Sequence, residues 1–158
     1  MTRIGFGYDI HAFSPGRGLV LGGVKIPAER GLLGHSDADV LLHAICDALL
    51  GAAALGDIGS HFPDDDEQFR GTPSTEFLKE VARLIKVHHY TVANLDATVV
   101  LESPRIAAYV PRMRETIAEV LELETDQVSV KATTHERLGA LGKGEGCAAY
   151  AVALIQPF

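Results

Sequence analysis

The sequence predicts a single domain of the α/β class, α+β type, in which helices cover one face of a mixed β-sheet of about four main strands. The chain has 158 residues, of which 47% are hydrophobic and 22% charged, and this composition is sufficient for one buried core. Segments of alternating apolar residues, typical of strands, are interspersed with segments of helical periodicity. Because no repeat or linker interrupts residues 1–158, we interpret the whole range as one domain.

The N-terminal part of the chain is predicted to contain short strands and turns. Residues 2–7 have the pattern of a strand, and residues 14–18 that of a turn. Residues 19–26 are predicted to form a short hairpin that is broken by a Gly-Gly pair. Residues 27–34 are predicted to be a loop that leads to the main helix.

Residues 35–59 are predicted to form one long helix. Ser36 is expected to cap its N-terminus, Asp39 to complete a capping box, and Gly56 to end the helix. The face expected to pack in the core contains Leu41, Ile45, Ala48, Leu49 and Ala52. The opposite face contains Ser36, Asp39, His43 and Asp47. From the helix alone, a solvated polar face is the favoured interpretation of this second group.

Strands and helices alternate in the second half of the chain. The acidic segment 57–66 is predicted to be a loop, and Pro73 to open a helix with a clean apolar stripe. A further helical region is expected to start at residues 102–105 and to be divided by Pro111, and residues 142–146 are expected to form a flexible loop. The predicted strands of this half are 91–101, 128–132 and 148–155.

Helices on one face would leave the other face of the sheet uncovered. The predicted strands are rich in Ala, Val and Leu, and the chain is too short to supply a second covering layer. We therefore expect oligomerisation to cover this face.

Composition and charge exclude several classes of partner. The net charge is −7 and no cluster of Lys and Arg is present, so binding of nucleic acid through a basic face is not expected. The apolar run 48–55 is too short to span a bilayer, and residues 1–4 lead into a strand instead of a signal peptide, so a cytoplasmic location is expected. Cys46 and Cys147 are far apart and lack metal-ligand spacing, which indicates reduced structural thiols.

Asp9, His11 and His43 form a candidate metal-binding group. In an extended chain, residues two apart point the same way, so Asp9 and His11 can converge on one point. One carboxylate and two imidazoles match a catalytic zinc set, whose open fourth position polarises a phosphoryl or carbonyl oxygen or acidifies a water. The Asp-x-His pattern alone is weak, because an ordinary polar loop after a strand has the same composition.

Two further groups are candidates for binding phosphate. His35 and Ser36 lie at the predicted helix N-terminus, where free N–H groups and the helix dipole favour an anion. Glu136, with Thr133 and Thr134, has the ligands for a second cation and its phosphate oxygens. The alternatives are a loop histidine without a role at position 35 and a helix-capping Thr-x-Glu at 134–136. The four Asp residues of segment 57–66 fit a cation or hydroxyl partner, or a solvated acidic loop.

Several specific motifs occur in order along the whole chain, and together they carry a family resemblance. They are Arg3-Ile4-Gly5, Asp9-Ile10-His11, His35-Ser36-Asp37-Ala38-Asp39-Val40-Leu41-Leu42-His43-Ala44, Asp47-Ala48-Leu49-Leu50-Gly51-Ala52, Gly56-Asp57-Ile58-Gly59, Phe62-Pro63-Asp64, Val130-Lys131-Ala132-Thr133-Thr134, Glu136, Leu138-Gly139 and Gly144-Glu145-Gly146. With these motifs the chain resembles the 2-C-methyl-D-erythritol 2,4-cyclodiphosphate synthases.

This resemblance implies a reaction of non-mevalonate isoprenoid precursor biosynthesis. The substrate would be 4-diphosphocytidyl-2-C-methyl-D-erythritol 2-phosphate, whose 2-phosphate attacks the β-phosphorus of its own diphosphate. CMP would leave and 2-C-methyl-D-erythritol 2,4-cyclodiphosphate would form, which makes the enzyme a phosphorus-oxygen lyase. Two divalent cations would assist, because an intramolecular attack needs orientation and charge neutralisation more than a base.

The resemblance also implies roles for individual residues. Asp9, His11 and His43 would hold one Zn²⁺ per subunit, and Glu136 would hold Mg²⁺ or Mn²⁺ with the diphosphate. His35 and Thr134 would stabilise the transition state. The residues implied near the metal, the phosphates and the erythritol are Asp9, Ile10, His11, His35, Ser36, Asp57, Ile58, Gly59, Phe62, Pro63, Asp64, Asp65 and Asp66. Those implied to bind cytidine and its phosphates are Leu101, Glu102, Ser103, Pro104, Arg105, Ile106, Ala107, Thr133, Thr134, His135 and Glu136.

The family is a homotrimer with sites between neighbouring subunits, and the resemblance implies the same assembly here.

Two positions of the implied substrate-binding set depart from the family pattern. Ala140 stands where many relatives have an aromatic residue, and Lys143 stands where Arg is common. In the family that Arg, with the residue at Glu145, lines a channel along the trimer axis where a phosphorylated isoprenoid binds. Lys offers a point charge there in place of a planar fork.

Two other functions fit the same residues. A zinc phosphohydrolase would use the open zinc position to activate a water, and its product would be linear. A non-catalytic nucleotide-binding module would use its His and Asp residues structurally and would bind no zinc.

Overall fold

The computed structural model describes residues 1–158 and contains seven strands and five α-helices. The strands are β1 (Arg3–Pro15), β2 (Leu19–Leu21), β3 (Val24–Ile26), β4 (Arg30–Leu32), β5 (Tyr90–Val100), β6 (Val128–Thr133) and β7 (Gly146–Pro157). The helices are α1 (Val40–Ala52), α2 (Ile58–His61), α3 (Ser74–Val87), α4 (Val110–Leu121) and α5 (Gly139–Gly142). Short 3-10 turns lie at Glu67–Phe69, Ala107–Tyr109 and Thr125–Gln127.

Five strands form one mixed sheet in the order β4-β1-β7-β5-β6, while β2 and β3 pair in a separate hairpin. Only β5 and β6 are parallel to each other; the other neighbours are antiparallel. This confirms the predicted mixed sheet of four main strands, to which the short β4 adds an edge. Because β7 pairs with both β1 and β5, Ala148 lies level with Ile10 on one side and Val100 on the other.

Helix α1 lies against the sheet and is buried on almost every side. All residues of α1 except Asp47 and Gly51 are buried, because α1 packs on β1 and β7 and is itself covered by α3. The expected solvated face with His43 is therefore wrong: a second layer of helix covers it. A helix that is apolar nearly all round is typical of such a central position. Among all the helices, none has the length and apolar character needed to cross a membrane.

Two glycines of β1 allow α1 to approach the sheet closely. A Cβ atom on Gly5 would lie 1.9 Å from the carbonyl oxygen of Ala48, and one on Gly7 would lie 1.8 Å from that of Ala44. Both distances are far below van der Waals contact, so no other residue fits without moving the helix. This contact fixes the height of His43, the residue before Ala44, above the strand.

The start of α1 differs from the prediction. Ala38 has a φ of 56°, a left-handed conformation that separates Ser36 from the helix, and the N-cap is Asp39. One Asp39 carboxylate oxygen accepts hydrogen bonds from the N–H groups of Leu42 (3.1 Å) and Gly22 (2.9 Å). The other oxygen accepts from Gly23 at 2.7 Å. Asp39 therefore caps α1 and also binds the turn of the β2–β3 hairpin. Ser36 makes neither of these contacts.

The end of α1 also differs from the prediction. Gly56 has the expected left-handed conformation, with a φ of 88°, but the helix already ends at Ala52 and Ala54, with a φ of 60°, makes the first left-handed turn. The N–H of Leu55 bonds to the Leu50 carbonyl at 2.9 Å, which closes the last turn. The chain after it contains the separate helix α2, so the predicted helix 35–59 and the predicted loop 57–66 are both wrong in their bounds.

Several other elements begin or end at residues that differ from the predicted ones. For the strands, the reason is pairing across the sheet. β1 continues past residue 7 to Pro15, since β7 pairs with it as far as Ala12, and β4 lies inside the predicted loop 27–34. The helical region starts at Ala107, not at 102–105. As predicted, Pro111 lies in the first turn of α4, just after a short 3-10 turn. The predicted hairpin at 19–26 and the strands of the second half are confirmed within a few residues.

An apolar surface remains on the face of the sheet away from the helices. The outward side chains of β1 are Ile4, Phe6, Tyr8 and Ile10, and those of β7 include Tyr150 and Val152. Tyr150 contacts the Tyr8 ring at a centroid distance of 5.1 Å and the Phe6 ring at 6.3 Å. α1, α3 and α4 pack on the other side, and α5 covers only Val100 and Ala148 at one end of this face through Leu141, so the side chains named here stay exposed.

Replacement of Gly7 by alanine should unfold or strongly destabilise the domain. The new Cβ would meet the Ala44 carbonyl oxygen, which belongs to backbone and cannot rotate away. We expect Gly7→Ala to lower the free energy of unfolding by about 3 kcal/mol or more, measured by urea denaturation. Gly18→Ala is the matched control: a Cβ there meets no atom within 4 Å. Equal losses for the two variants would contradict the close approach.

Candidate active site

Three side chains converge above the middle of β1. Along this strand the odd-numbered residues face α1, so Asp9 and His11 point the same way as Gly5 and Gly7. His43 reaches them from the first half of α1. The Oδ2 atom of Asp9 lies 2.9 Å from His11 Nε2 and 3.0 Å from His43 Nδ1. The structure thus brings together the group that the sequence predicts.

The chemistry of this group fits a metal ion. One oxygen and two imidazole nitrogens, one from each residue, all lie within 4.8 Å of one another. The remaining nitrogen of His11, Nδ1, lies 2.8 Å from the Leu33 carbonyl oxygen, which can only accept a hydrogen bond. Nδ1 of His11 therefore carries a proton, so Nε2 can give its lone pair to a metal ion; without a metal, the protonated ring donates from Nε2 to Asp9. These three residues can hold a metal and leave a position open on it.

The same contacts perturb the acid–base behaviour of the group. Burial alone would raise the pKa of Asp9, but the hydrogen bonds to His11 and His43 outweigh it and lower this pKa to about 2. Burial opposes the charged form of His11 as well, yet the Asp9 carboxylate raises the pKa of His11 above its usual value. Asp9 is therefore an anion at neutral pH and supplies the negative charge of the site.

A cavity of about 200 Å³ lies beside this group. It contains no Lys or Arg, and its walls are formed by Asp9, His11, Gly34, His35, Ser36, His43, Ile58, Gly59, Phe62, Asp64, Phe69 and Phe77. The start of α2 and the following segment therefore meet the metal-binding group, as expected for Ile58, Gly59, Phe62 and Asp64. The neighbouring Asp57, Pro63, Asp65 and Asp66 lie outside the wall; Asp57 caps α2, and Asp66 accepts a bond from His35 Nε2 through its carbonyl.

Two expectations about this cavity need correction. The first turn of α1 is not a free anion site, because Asp39 occupies the N–H of Leu42 and residues Val40–Leu42 are fully buried. His35 and Ser36 line the cavity from the segment before the helix instead. Ile10 points to the opposite face of the sheet, away from Asp9 and His11, because side chains alternate along β1.

A second, larger cleft of about 580 Å³ lies where β5 and β6 end. Nine residues expected to bind a nucleotide lie in its walls, together with Ala132 and Arg137: Leu101, Glu102, Pro104, Arg105, Ile106, Ala107, Thr133, Thr134 and Glu136. Glu102 organises the cleft, since its Oε1 accepts a hydrogen bond from the His135 N–H at 2.8 Å. Thr134 Oγ1 accepts from the Glu136 N–H at 3.1 Å, and the whole turn is exposed. Ser103 does not line this cleft; it lines a separate cavity together with Phe13 and Arg30.

The two cavities are separate within one chain. They share no wall residue, and β7 and β5 lie between β1 and β6. Three strand spacings of about 4.8 Å place the two strands roughly 14 Å apart at the level of Ala148. Glu136 and Thr134 are therefore not next to Asp9 and His43 of the same chain. Ala140 and Lys143 are exposed and line neither cavity.

Several residues of these sites are not among the predicted ones: Gly34, Phe69, Phe77 and Ala132 line the walls, and three polar residues add contacts. Arg137 adds a cation to the wall of the larger cleft, and only its position beside Glu136 could have indicated it. Asp37 and Ser74 bond to each other beside His43. Ser74 lies 31 residues from His43, and no local pattern in the sequence connects the two.

Comparison with known proteins gives one consistent result. The model of the YgbB family matches residues 2–156. A 2-C-methyl-D-erythritol 2,4-cyclodiphosphate synthase of Syntrophobacter fumaroxidans is 59% identical over 98% of this chain and 97% of its own length. The corresponding synthase of Geobacter metallireducens is 58% identical, with 98% of each chain covered.

Solved structures agree with these relatives. The bifunctional IspDF of Campylobacter jejuni superposes with a TM-score of 0.96 at 39% identity; the match covers all of this chain but 43% of that one. The CDP complex of IspF from Plasmodium falciparum superposes with a TM-score of 0.87 at 36% identity, over 99% of this chain and 96% of that one. This chain is thus similar in sequence and in fold to the same group of enzymes.

In the metal-free protein, the Asp9–His11 pair should stabilise the fold most at mildly acidic pH. The lowered pKa of Asp9 gives stability that is present above about pH 4 and lost as the pH falls towards 2. The raised pKa of His11 gives stability that is present below about pH 6.5 and lost as the pH rises through the raised value. With solvent screening included, wild type should exceed Asp9→Asn by about 1–2 kcal/mol at pH 5 and by less at pH 8.

Urea unfolding in the presence of a chelator would measure this difference at both pH values. Asp126→Asn is the control, because Asp126 is exposed and lies in a separate turn, so its effect should not change between pH 5 and pH 8. An advantage of wild type over Asp9→Asn that grows towards pH 8 would contradict the proposed electrostatics.

Proposed function

The chain belongs to the YgbB family, and on that premise we propose that it is a 2-C-methyl-D-erythritol 2,4-cyclodiphosphate synthase. It converts 4-diphosphocytidyl-2-C-methyl-D-erythritol 2-phosphate into the 2,4-cyclodiphosphate and CMP, in non-mevalonate isoprenoid precursor biosynthesis. The observation that carries this proposal is the convergence of Asp9, His11 and His43 in a fold that matches these synthases over its full length. In class it is a phosphorus-oxygen lyase.

The metal of this group is zinc in our proposal, with one ion per chain held by Asp9, His11 and His43. Three protein ligands with nitrogen and oxygen donors, and an open fourth position, are typical of catalytic zinc. Bound there, zinc would act as a Lewis acid on a phosphate oxygen of the substrate. Glu136 would hold Mg²⁺ or Mn²⁺ with the diphosphate, since these ions need few carboxylates and keep several waters.

The chemistry requires positioning more than proton transfer. An oxygen of the 2-phosphate forms a bond to the β-phosphorus, and the bond from that phosphorus to the bridging oxygen breaks. CMP then leaves with the bridging oxygen. We assign His35, Ser36 and Thr134 to the phosphates, where the Ser36 and Thr134 hydroxyls donate to the charge of the transition state and His35, held through Nε2 by the Asp66 carbonyl, presents Nδ1. Because the nucleophile is part of the substrate, its correct orientation supplies much of the rate.

The two cavities correspond to two parts of the substrate. The cavity beside the metal group would hold the erythritol and its phosphates, with Ile58, Gly59, Phe62 and Asp64 in its wall. The neighbouring Asp57, Pro63, Asp65 and Asp66 would complete this side. The cleft at the ends of β5 and β6 would hold cytidine, with Arg105 available to the phosphates. A relative of the same fold has been solved as a CDP complex, which supports a nucleotide site.

We further propose a homotrimer in which each active site lies between two subunits. The two cavities share no wall residue within one chain, and we infer that the second half of each site comes from a neighbour. The uncovered apolar surface of β1 and β7 provides the area for such contact. Ala140, Lys143 and Ile10 would approach substrate or the trimer axis only in that assembly. A cytoplasmic location fits the two free, buried thiols, Cys46 and Cys147.

Product analysis tests the reaction. With the cytidine diphospho-methylerythritol phosphate, Mg²⁺ and Zn²⁺, wild type should release equal amounts of CMP and cyclic diphosphate, detected by mass spectrometry. His43→Ala removes a ligand of the metal group and should lower the rate by about 100-fold or more. His88→Ala, at an exposed histidine after α3, should leave the rate unchanged. A linear product would indicate the phosphohydrolase. Binding of the substrate without release of CMP would indicate the nucleotide-binding module.

Sedimentation equilibrium tests the assembly. Wild type should have three times the mass of one chain, and Phe6→Glu should shift the protein towards monomers, because it places a charge in the apolar surface. Val87→Glu is the matched control, since Val87 is 56% exposed and Phe6 62%, but Val87 lies on α3 away from that surface. A trimer that is unaffected by Phe6→Glu would place the subunit contacts elsewhere.

A further inference from the structure

The second ring nitrogen of His43 faces a buried polar chain. His43 Nε2 lies 2.8 Å from the hydroxyl oxygen of Ser74, the first residue of α3. The Ser74 hydroxyl donates to Oδ1 of Asp37, and the Ser74 N–H donates to Oδ2 of the same carboxylate at 3.0 Å. Ser74 is completely buried, and neither Ser74 nor Asp37 lines the cavity beside the metal group.

The donors and acceptors of this chain fix its direction. A carboxylate only accepts hydrogen bonds, so the proton of the Ser74 hydroxyl points to Asp37. The Ser74 oxygen is then free to accept a bond from His43 Nε2–H. With its proton held on Nε2, His43 can give the Nδ1 lone pair to a metal ion that Asp9 also binds, since Asp9 Oδ2 lies 3.0 Å from Nδ1.

A competing partner of His43 does not reverse this assignment. The Ser36 hydroxyl oxygen lies 3.3 Å from His43 Nε2, farther than that of Ser74. This oxygen already accepts the N–H of Ala38 at 3.2 Å. The Ser36 hydroxyl proton has no carboxylate partner of its own, so it stays available to a phosphate in the cavity.

We propose that Ser74 and Asp37 are positioning residues of the metal centre, which hold the proton of His43 on Nε2 and present Nδ1 to the metal. This inference rests on the proposed function only in that Asp9, His11 and His43 bind a metal ion. Hydrogen bonds to the second nitrogen of a ligating histidine fix its tautomer and raise its basicity, and their loss typically weakens metal binding by 10- to 100-fold.

The Asp37 carboxylate also connects the Ser74–His43 hydrogen bond to the segment that carries His35 and Ser36. Asp37 holds the first turn of α3 through the Ser74 N–H, for which Pro73 provides no side-chain cap. Next to it, the Gly71 N–H bonds to the His35 carbonyl at 2.9 Å. The orientation of His43 and the position of two proposed phosphate contacts therefore depend on one buried junction between residues 35–37 and 71–74.

Zinc affinity, measured by competition with a chromophoric chelator, tests the proposal without any assay of activity. Ser74→Ala and Asp37→Asn should each bind Zn²⁺ about 10- to 100-fold more weakly than wild type. Ser74→Thr, which keeps a hydroxyl, should recover most of the loss. Thr75→Ala is the matched control, because Thr75 has a hydroxyl on the same turn of α3 that does not contact His43. Unchanged affinity in folded Ser74→Ala would overturn the proposal.

A second measurement needs no variant and covers the case in which Ser74→Ala fails to fold. In the zinc-loaded wild type labelled with ¹⁵N-histidine, NMR should show the His43 proton on Nε2, protected from exchange. A proton on Nδ1 would overturn the proposal. Failure of wild type to bind zinc would instead overturn the proposed function, so the two results are distinguishable.

Discussion

The packing of α1 on β1 is the contact on which the rest of the molecule depends. Two glycines in β1 remove the side chains that would otherwise hold the helix away, and the backbone of α1 rests on the strand at Ala44 and Ala48. His43, beside the first of these contacts, therefore comes to the height of Asp9 and His11 without a flexible loop. Because both elements are rigid, the metal-binding group is preorganised by the core of the fold.

Because α1 is buried on nearly all sides, its polar groups need hydrogen-bond partners, and the neighbouring segments supply them. Its N-cap, Asp39, is completely buried, and the N–H groups of Gly22, Gly23 and Leu42 bond to its carboxylate. His43 is nearly as buried and has a partner for each ring nitrogen. The hairpin and the start of α3 are thus fixed by hydrogen bonds to one helix, and each bond would be costly to leave unmade.

The sequence predicts the metal-binding group but not the surroundings that orient it. The alternation in a strand suffices to place Asp9 beside His11, and the family motifs identify His43. By contrast, the helical periodicity of residues 35–59 indicates a polar face but does not indicate that α3 covers it. Local sequence predicts Ser36 as the cap, whereas Asp39 is the cap, and its partners Gly22 and Gly23 lie 17 and 16 residues away. Contacts of this range come from tertiary packing, which local propensity does not contain.

The charges of the two cavities explain why the site needs cations. The substrate is an anion with three phosphate groups, while the chain has a net charge of −7. The larger cleft offers Arg105 and Arg137, but the cavity beside the metal group has no Lys or Arg in its wall and contains two Asp residues. Phosphates in that cavity would be repelled unless a bound cation offset the carboxylates. A metal ion at Asp9, His11 and His43 would supply that positive charge next to the phosphates.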